Sequence, residues 1–318
     1  MSKKVVSILL TLIIAVGMFQ LVSCSEAETR HNGGLDIVTT VFPPYDFARA
    51  VAGEDADIHM LLSPGAESHT YEPTPKDIIK IQNCDLFICI GGIGESWVDN
   101  IISSLGGDIN VLYLMDTVDT VEEVIAEGME DDEHVEEDAG GEIEYDEHIW
   151  TSPKNAAVMV SAIADRLCEL APADAQLFRS NADAYIADIG SVDADLAAFF
   201  ENSDCSTIVF GDRFPFRYFA DEFGLKYYAA FPGCSEETEP SAATIAFLID
   251  KVKSEHIKTV FYLEFSSHAV ADTVASAAGA QTAMLHSCHN VSRAELEAGV
   301  TYVSLMRQNL AALEEYFG

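Results

Sequence analysis

From Asp36 onward, short apolar runs alternate with longer stretches in which apolar residues recur every three or four positions. The runs at 36–42, 57–62, 86–90 and 110–115 are strand-length, and the helical periods between them, at 44–52, 74–83 and 95–105, suit crossover connections. Thr74 before Pro75 supplies an N-cap with proline at the first helical position. Helical signals then dominate from Ser152 to Phe200, restarting at Pro172-Ala173-Asp174. The second of these helices, 173–200, carries Leu177, Phe178, Ala182, Tyr185, Ile186, Ile189, Val192, Leu196 and Phe199 and reads as a single amphipathic rod. Beyond it the alternation restarts, with strands at 206–210, 225–231, 258–264 and 281–285 and helices at 217–222, 242–255 and 269–278. A helix at 301–316 closes the chain. The pattern predicts an α/β protein of two lobes, each with a four-stranded parallel sheet and flanking helices, joined by one long rigid helix.

Ahead of this lies a different kind of sequence. Lys3 and Lys4 precede an apolar run from Val5 to Phe19, and Leu21-Val22-Ser23-Cys24 comes next. The run is short for a membrane span and reads as an export signal whose lipobox places a lipid on Cys24. The expected organisation is a signal peptide with lipobox at 1–23, a polar flexible tether at 24–35, an N-terminal α/β lobe at 36–171, a linker helix at 172–201 and a C-terminal α/β lobe at 202–318. The mature chain is then extracytoplasmic and anchored to the cell membrane, at the cell surface or in the periplasm, and is expected to be a monomer.

Charge narrows the partners. Seventeen Lys and Arg stand against 53 Asp and Glu, a formal net charge of −36, so a nucleic-acid partner is excluded for want of a basic face, while a cation suits the field. Within the first lobe, 121–147 forms an acidic loop with 14 Asp or Glu in 27 residues, no Lys or Arg, and His134 near its middle. Six cysteines lie beyond Cys24 and none forms a CxxC pair; if two pair outside the cytoplasm, Cys234 and Cys288 are the expected disulfide because both lie in loop-like contexts.

In open parallel sheets, ligands bind beyond the carboxyl ends of the strands. The residues just beyond the expected strand ends put forward His69, His148, Asp212, Arg213, Glu264, His286 and His289, with Cys288 a further ligand if its thiol is free. Imidazoles and carboxylates in such places suit Zn²⁺, with Mn²⁺ or Fe²⁺ as the other candidates. Ser68-His69-Thr70-Tyr71-Glu72-Pro73-Thr74-Pro75 and Asp146-Glu147-His148-Ile149-Trp150 then make the chain resemble the cluster A-I metal-binding proteins of ABC importers, from about Asp36 to the C-terminus. The resemblance implies two α/β lobes around a long helix, metal ligands at His69 and His148, an acidic loop before the second ligand, and delivery of the ion to a membrane permease with a cytoplasmic ATPase. It also implies a departure. The family's third ligand, His or Glu, aligns with Arg213, which cannot coordinate a cation, and its fourth, usually Asp, aligns with His286. Arg213 is expected to pair instead with an acid such as Glu264.

The expected function is therefore capture of a divalent ion, Zn²⁺ foremost, between two lobes, without catalysis. A metal-dependent hydrolase and a metal-containing surface adhesin are the alternatives; no HExxH or nucleophile elbow supports the hydrolase.

Overall fold

The computed structural model describes residues 34–66, 71–106, 109–129, 144–235 and 239–317. The expected export signal, Cys24, nearly all of the tether, His69 and the middle of the acidic loop lie outside the described residues. Among the described residues no helix is long and apolar enough to cross a membrane.

Eight strands form two four-stranded sheets. The first holds β1 (Leu35–Thr39), β2 (Ala56–Met60), β3 (Leu86–Cys89) and β4 (Val111–Tyr113) in the order β2-β1-β3-β4. The second holds β5 (Thr207–Phe214), β6 (Lys226–Pro232), β7 (Thr259–Tyr262) and β8 (Gln281–Met284) in the order β6-β5-β7-β8. Every pairing is parallel. Order reverses between β1 and β3 in one sheet and between β5 and β7 in the other, which opens a crevice at each carboxyl edge.

The connecting helices are α1 (Phe42–Ala52), α2 (Pro75–Asn83), α3 (Trp97–Ser104), α4 (Pro153–Leu170), α5 (Ala175–Asn202), α6 (Arg217–Phe223), α7 (Ala242–Ser254), α8 (Ala269–Ala278), α9 (Arg293–Glu297) and α10 (Tyr302–Phe317). Their starts are set by local chemistry. Thr74 and Asp77 form a reciprocal capping box on α2, Ser292 and Glu295 do the same on α9, and Ser152 caps α4 ahead of Pro153. Helix α5 runs 28 residues, roughly 42 Å at 1.5 Å per residue, as the long rod expected. Its buried stripe of Phe178, Ala182, Ile189, Val192 and Leu196 faces the main core, and Asn181 donates to the Val51 carbonyl at 2.9 Å. Tyr185, on the same helix, bonds the buried Asp46 carboxylate, which also accepts the Tyr302 N–H at 2.7 Å. The main apolar cluster is continuous through both halves, from Ile37 and Phe47 to Phe210 and Leu313.

Strand β5 carries a local irregularity. Its register against β6 shifts between Phe210 and Arg213, and Gly211 lies where a Cβ would come within 2.4 Å of the Ala271 Cα. The glycine lets α8 approach the strand, and the bulge turns Asp212 and Arg213 toward the crevice. Replacing Gly211 by Ala forces backbone apart and is expected to lower unfolding free energy by about 1–3 kcal/mol, read as a lower urea midpoint at unchanged slope.

The expected disulfide is corrected here. Cys234 and Cys288 are both free thiols: Cys288 is buried in the main core after β8, whereas Cys234 lies just beyond β6 and lines a different crevice with Glu123 and Tyr145.

Candidate metal centre

Four segments of the second half of the chain, around Asp212, Gly233, Glu264 and His289, meet at the crevice between β5 and β7, together with Ala66 and His148 from the first half. A cavity of ≈ 100 Å³ is bounded there by His148, Asp212, Arg213, Glu264, Ser287 and His289 among others.

His148 is set by the two residues before it. Asp146 Oδ1 accepts the His148 N–H at 2.8 Å and stands 3.1 Å from Nδ1, so the carboxylate fixes the ring plane and leaves Nε2 as the ligating nitrogen. The side chain is 2% exposed. Burial by itself lowers the imidazole pKa, but the Asp146 charge and hydrogen bond, with Glu147 and Glu123, outweigh it and hold His148 above its ordinary 6.5. The indole of Trp150 packs against this ring at 5.3 Å.

His289 arrives from the other half. Its N–H is received by Ser287 Oγ at 3.1 Å, and its ring centre lies 5.7 Å from that of His148 and 4.9 Å from that of Trp150. Two imidazoles on one tetrahedral Zn²⁺, with bonds of about 2.0–2.1 Å, place their ring centres roughly 5–6 Å apart. The pair is spaced for a shared ion.

His286, placed ahead of His289 by sequence alignment, is positioned differently. Its Nδ1 accepts the Cys288 N–H at 2.9 Å and its backbone is clamped on both sides by Asn309, at 2.7 and 2.8 Å. The ring is 1% exposed, is absent from the cavity lining, and its Nε2 has no hydrogen-bond partner among the described residues. The two carboxylates at the cavity are held internally: Asp212 accepts the Arg213 N–H at 2.8 Å and the Leu263 N–H at 3.2 Å, and Glu264 accepts Ser287 N–H at 2.8 Å and Ser287 O–H at 2.6 Å. Arg213 reaches the Ser235 carbonyl at 3.2 Å. Among the described residues no three His, Cys, Asp or Glu side chains group as a metal set.

A second crevice, at the β1/β3 reversal, holds acids that sequence reading did not single out. Glu95, Glu147, Trp97 and His289 line a cavity of ≈ 30 Å³. Gly92 and Gly94 lie so close to Glu147 that a Cβ on either would come within 2.6 Å of it, and the Gly94 N–H donates to Glu147 Oε1 at 2.5 Å. Burial pushes Glu95 up to about 7, against the hydrogen bond from the Gly91 N–H at 2.8 Å, while the Glu147 charge adds to the rise. The signal available in the sequence was the glycine-rich end of β3, Gly91-Gly92-Ile93-Gly94.

Known proteins share this organisation. The pattern of the periplasmic component A of zinc-uptake complexes (ZnuA) matches residues 37–316. The zinc-binding lipoprotein AdcA of Streptococcus pneumoniae is 34% identical over 314 residues, which are 98% of this chain but 61% of that protein's length. The high-affinity zinc uptake system protein ZnuA of Bacillus subtilis is 31% identical over 311 residues, 95% of each chain. The Zn(II)-bound ZnuA-like domain of S. pneumoniae AdcA superposes with a TM-score of 0.73 at 33% identity, covering 89% of this chain and 99% of that domain.

Glu95 generates a stability prediction. Its folded pKa lies above the ordinary 4.5, so the native state holds an extra proton between about 4.5 and 7; the stability it contributes is complete below that window and is lost as pH rises through about 7. Glu95→Gln is expected to remove this slope and to stabilise the chelator-treated protein above pH 7 by ~2 kcal/mol, measured by urea unfolding across pH.

Proposed function

The chain belongs to the family of periplasmic zinc-uptake component A proteins, and from that premise we propose that it captures a divalent metal ion, Zn²⁺ foremost, and hands it to the permease of an ABC importer. The His148–His289 pair carries this reading: two imidazoles from opposite halves stand 5.7 Å apart, one already oriented by a carboxylate. His69 joins them on its sequence motif. The order of domains is that expected from the sequence: export signal at 1–23, lipid on Cys24, tether at 24–35, lobes at 36–171 and 202–318, and the connecting helix at 172–201. Transport of a bound ion, rather than turnover of a substrate, is the family's business.

His289 replaces His286 as the ligand offered by the β8 loop. His286 serves as a buried support, accepting the Cys288 N–H and so shaping the turn that presents His289.

Zn²⁺ is expected to raise the melting temperature of the chelator-treated protein, and an unchanged melting temperature at saturating Zn²⁺ would sink the reading. Stoichiometric zinc should be lost in His148→Ala and His289→Ala, and Asp146→Asn should weaken binding about 10–100-fold, both measured by competition against a chromogenic chelator. His286→Ala should keep zinc. Because carboxylates hold His148 above 6.5, protons begin to displace the metal at a higher pH than for an unperturbed imidazole, and affinity should fall steadily as pH drops through 7 to 6.

A further inference from the structure

Three helices from different parts of the fold meet at one buried carboxyl. The side chain of Glu222, near the end of α6, is 5% exposed. Its Oε2 accepts the hydroxyl of Ser152, the residue that caps α4, and Asp193 of the connecting helix α5 lies in hydrogen-bonding contact with it. We propose that a single proton, carried by Glu222 and donated to Asp193, latches α5 to α6, and that the latch opens when the proton leaves.

The geometry calls for that proton. Glu222 Oε1 and Asp193 Oδ1 are both buried, and among the described residues neither oxygen has a hydrogen-bond partner. An ionised carboxylate only accepts, so two of them in contact repel and leave both oxygens bare. A protonated Glu222 turns its O–H to Asp193 and satisfies the two at once. Two acids that share a site in this way keep one member neutral, because both charges cannot be held so close.

The surrounding charges leave this balance in place. From α4, the Lys154 ammonium stands 3.5 Å from Oε1 but is 67% exposed, so water screens it. From α10, the Tyr302 hydroxyl donates to the Trp150 carbonyl at 2.8 Å, and Arg307 is engaged with Asp195 and Ser191. On α6 itself Arg217 pairs with Asp221. Burial pushes Glu222 above its ordinary 4.5, and the Asp193 contact and charge add to the rise, against the Ser152 bond and the Lys154 charge. The stability that Glu222 contributes is therefore complete below 4.5 and is lost as pH climbs through the raised value. Because Ser152 Oγ also accepts the Asn155 N–H at 3.1 Å, the same carboxyl holds the start of α4, and departure of the proton loosens three helices at one point.

The experiment is an infrared pH titration of the chelator-treated protein with Glu95→Gln as the background. The difference between that background and the same protein carrying Glu222→Gln isolates the C=O band of a protonated Glu222. At pH 5.5, one unit above the ordinary 4.5, a solvated glutamate is ~10% protonated. The difference band is expected to correspond to half a carboxyl or more, and Asp193→Asn should shift its titration to lower pH. The urea midpoint of the background should fall as pH rises through the titration of that band, and Glu222→Gln, whose amide is a permanent donor to Asp193, should remove that part of the fall. A band no larger than the solvated value overturns the inference. So does a band that titrates identically in Asp193→Asn, because the proton is then not held toward α5. Should Glu222→Gln fail to fold, Asp193→Asn read against the background carries the test by itself. Neither measurement uses zinc, so the outcome stands apart from metal capture.

Discussion

The segment 286–291 is the constraint on which the site depends. Although it comes after the last strand of the second sheet, its backbone is bonded to loops of the first: the Phe42 N–H donates to the His289 carbonyl at 3.2 Å and the Gly65 N–H to the Val291 carbonyl at 2.9 Å. The Asn290 amide spans the Ser63 and Ala66 carbonyls, at 2.9 Å each. Trp150 completes the seam from the other side, donating to the Ser287 carbonyl at 2.8 Å while its own carbonyl accepts the Tyr302 hydroxyl at 2.8 Å. The two Trp150 bonds are buried, so removing one partner leaves a buried polar group unpaired. They hold His289 against His148 across the seam, which neither half could do alone.

A second seam lies at the other mouth of the cleft. The start of the acidic loop runs onto the second half: the Val121 N–H meets the Tyr218 hydroxyl, Glu123 accepts the Cys234 N–H, and Glu127 meets Lys251. Gly128 sits where a Cβ would overlap the ring of Phe247. Acidity is thus more than a solubilising surface. Glu123 and Glu147 belong to the electrostatic surroundings of His148, where they favour a positive neighbour, proton or metal. With both seams in place and α5 packed along the shared core, the two lobes are joined by hydrogen bonds and apolar packing as well as by the chain itself.

The comparison of His286 with His289 is a case of geometry overriding alignment. Both lie within a few residues of the end of β8. The Asn309 clamp and the left-handed Cys288, at φ 62°, turn the chain between them, so the first ring goes into the core and the second into the cleft. Arg213 is turned toward the cavity by the irregularity of β5 at Gly211.

Local sequence determined much of this protein. Apolar periodicity set the strands and helices to within a few residues, prolines and hydroxyl caps set the helix starts, and Asp146-Glu147-His148 carried its own orienting carboxylate, because each of these is an interaction between near neighbours. The short α9 was missed, since its capping box at Ser292 and Glu295 comes without a periodic apolar stripe. The separation of Cys234 from Cys288, the burial of His286 and the silence on Glu95 share one cause. Which thiols lie near one another, which imidazole faces the cleft and which carboxylate loses its water are decided by groups distant in the chain: Asn309 for His286, Glu147 for Glu95, and the core around Cys288 against the crevice that holds Cys234. Those neighbours come together only once the chain has folded, because long stretches of sequence separate them.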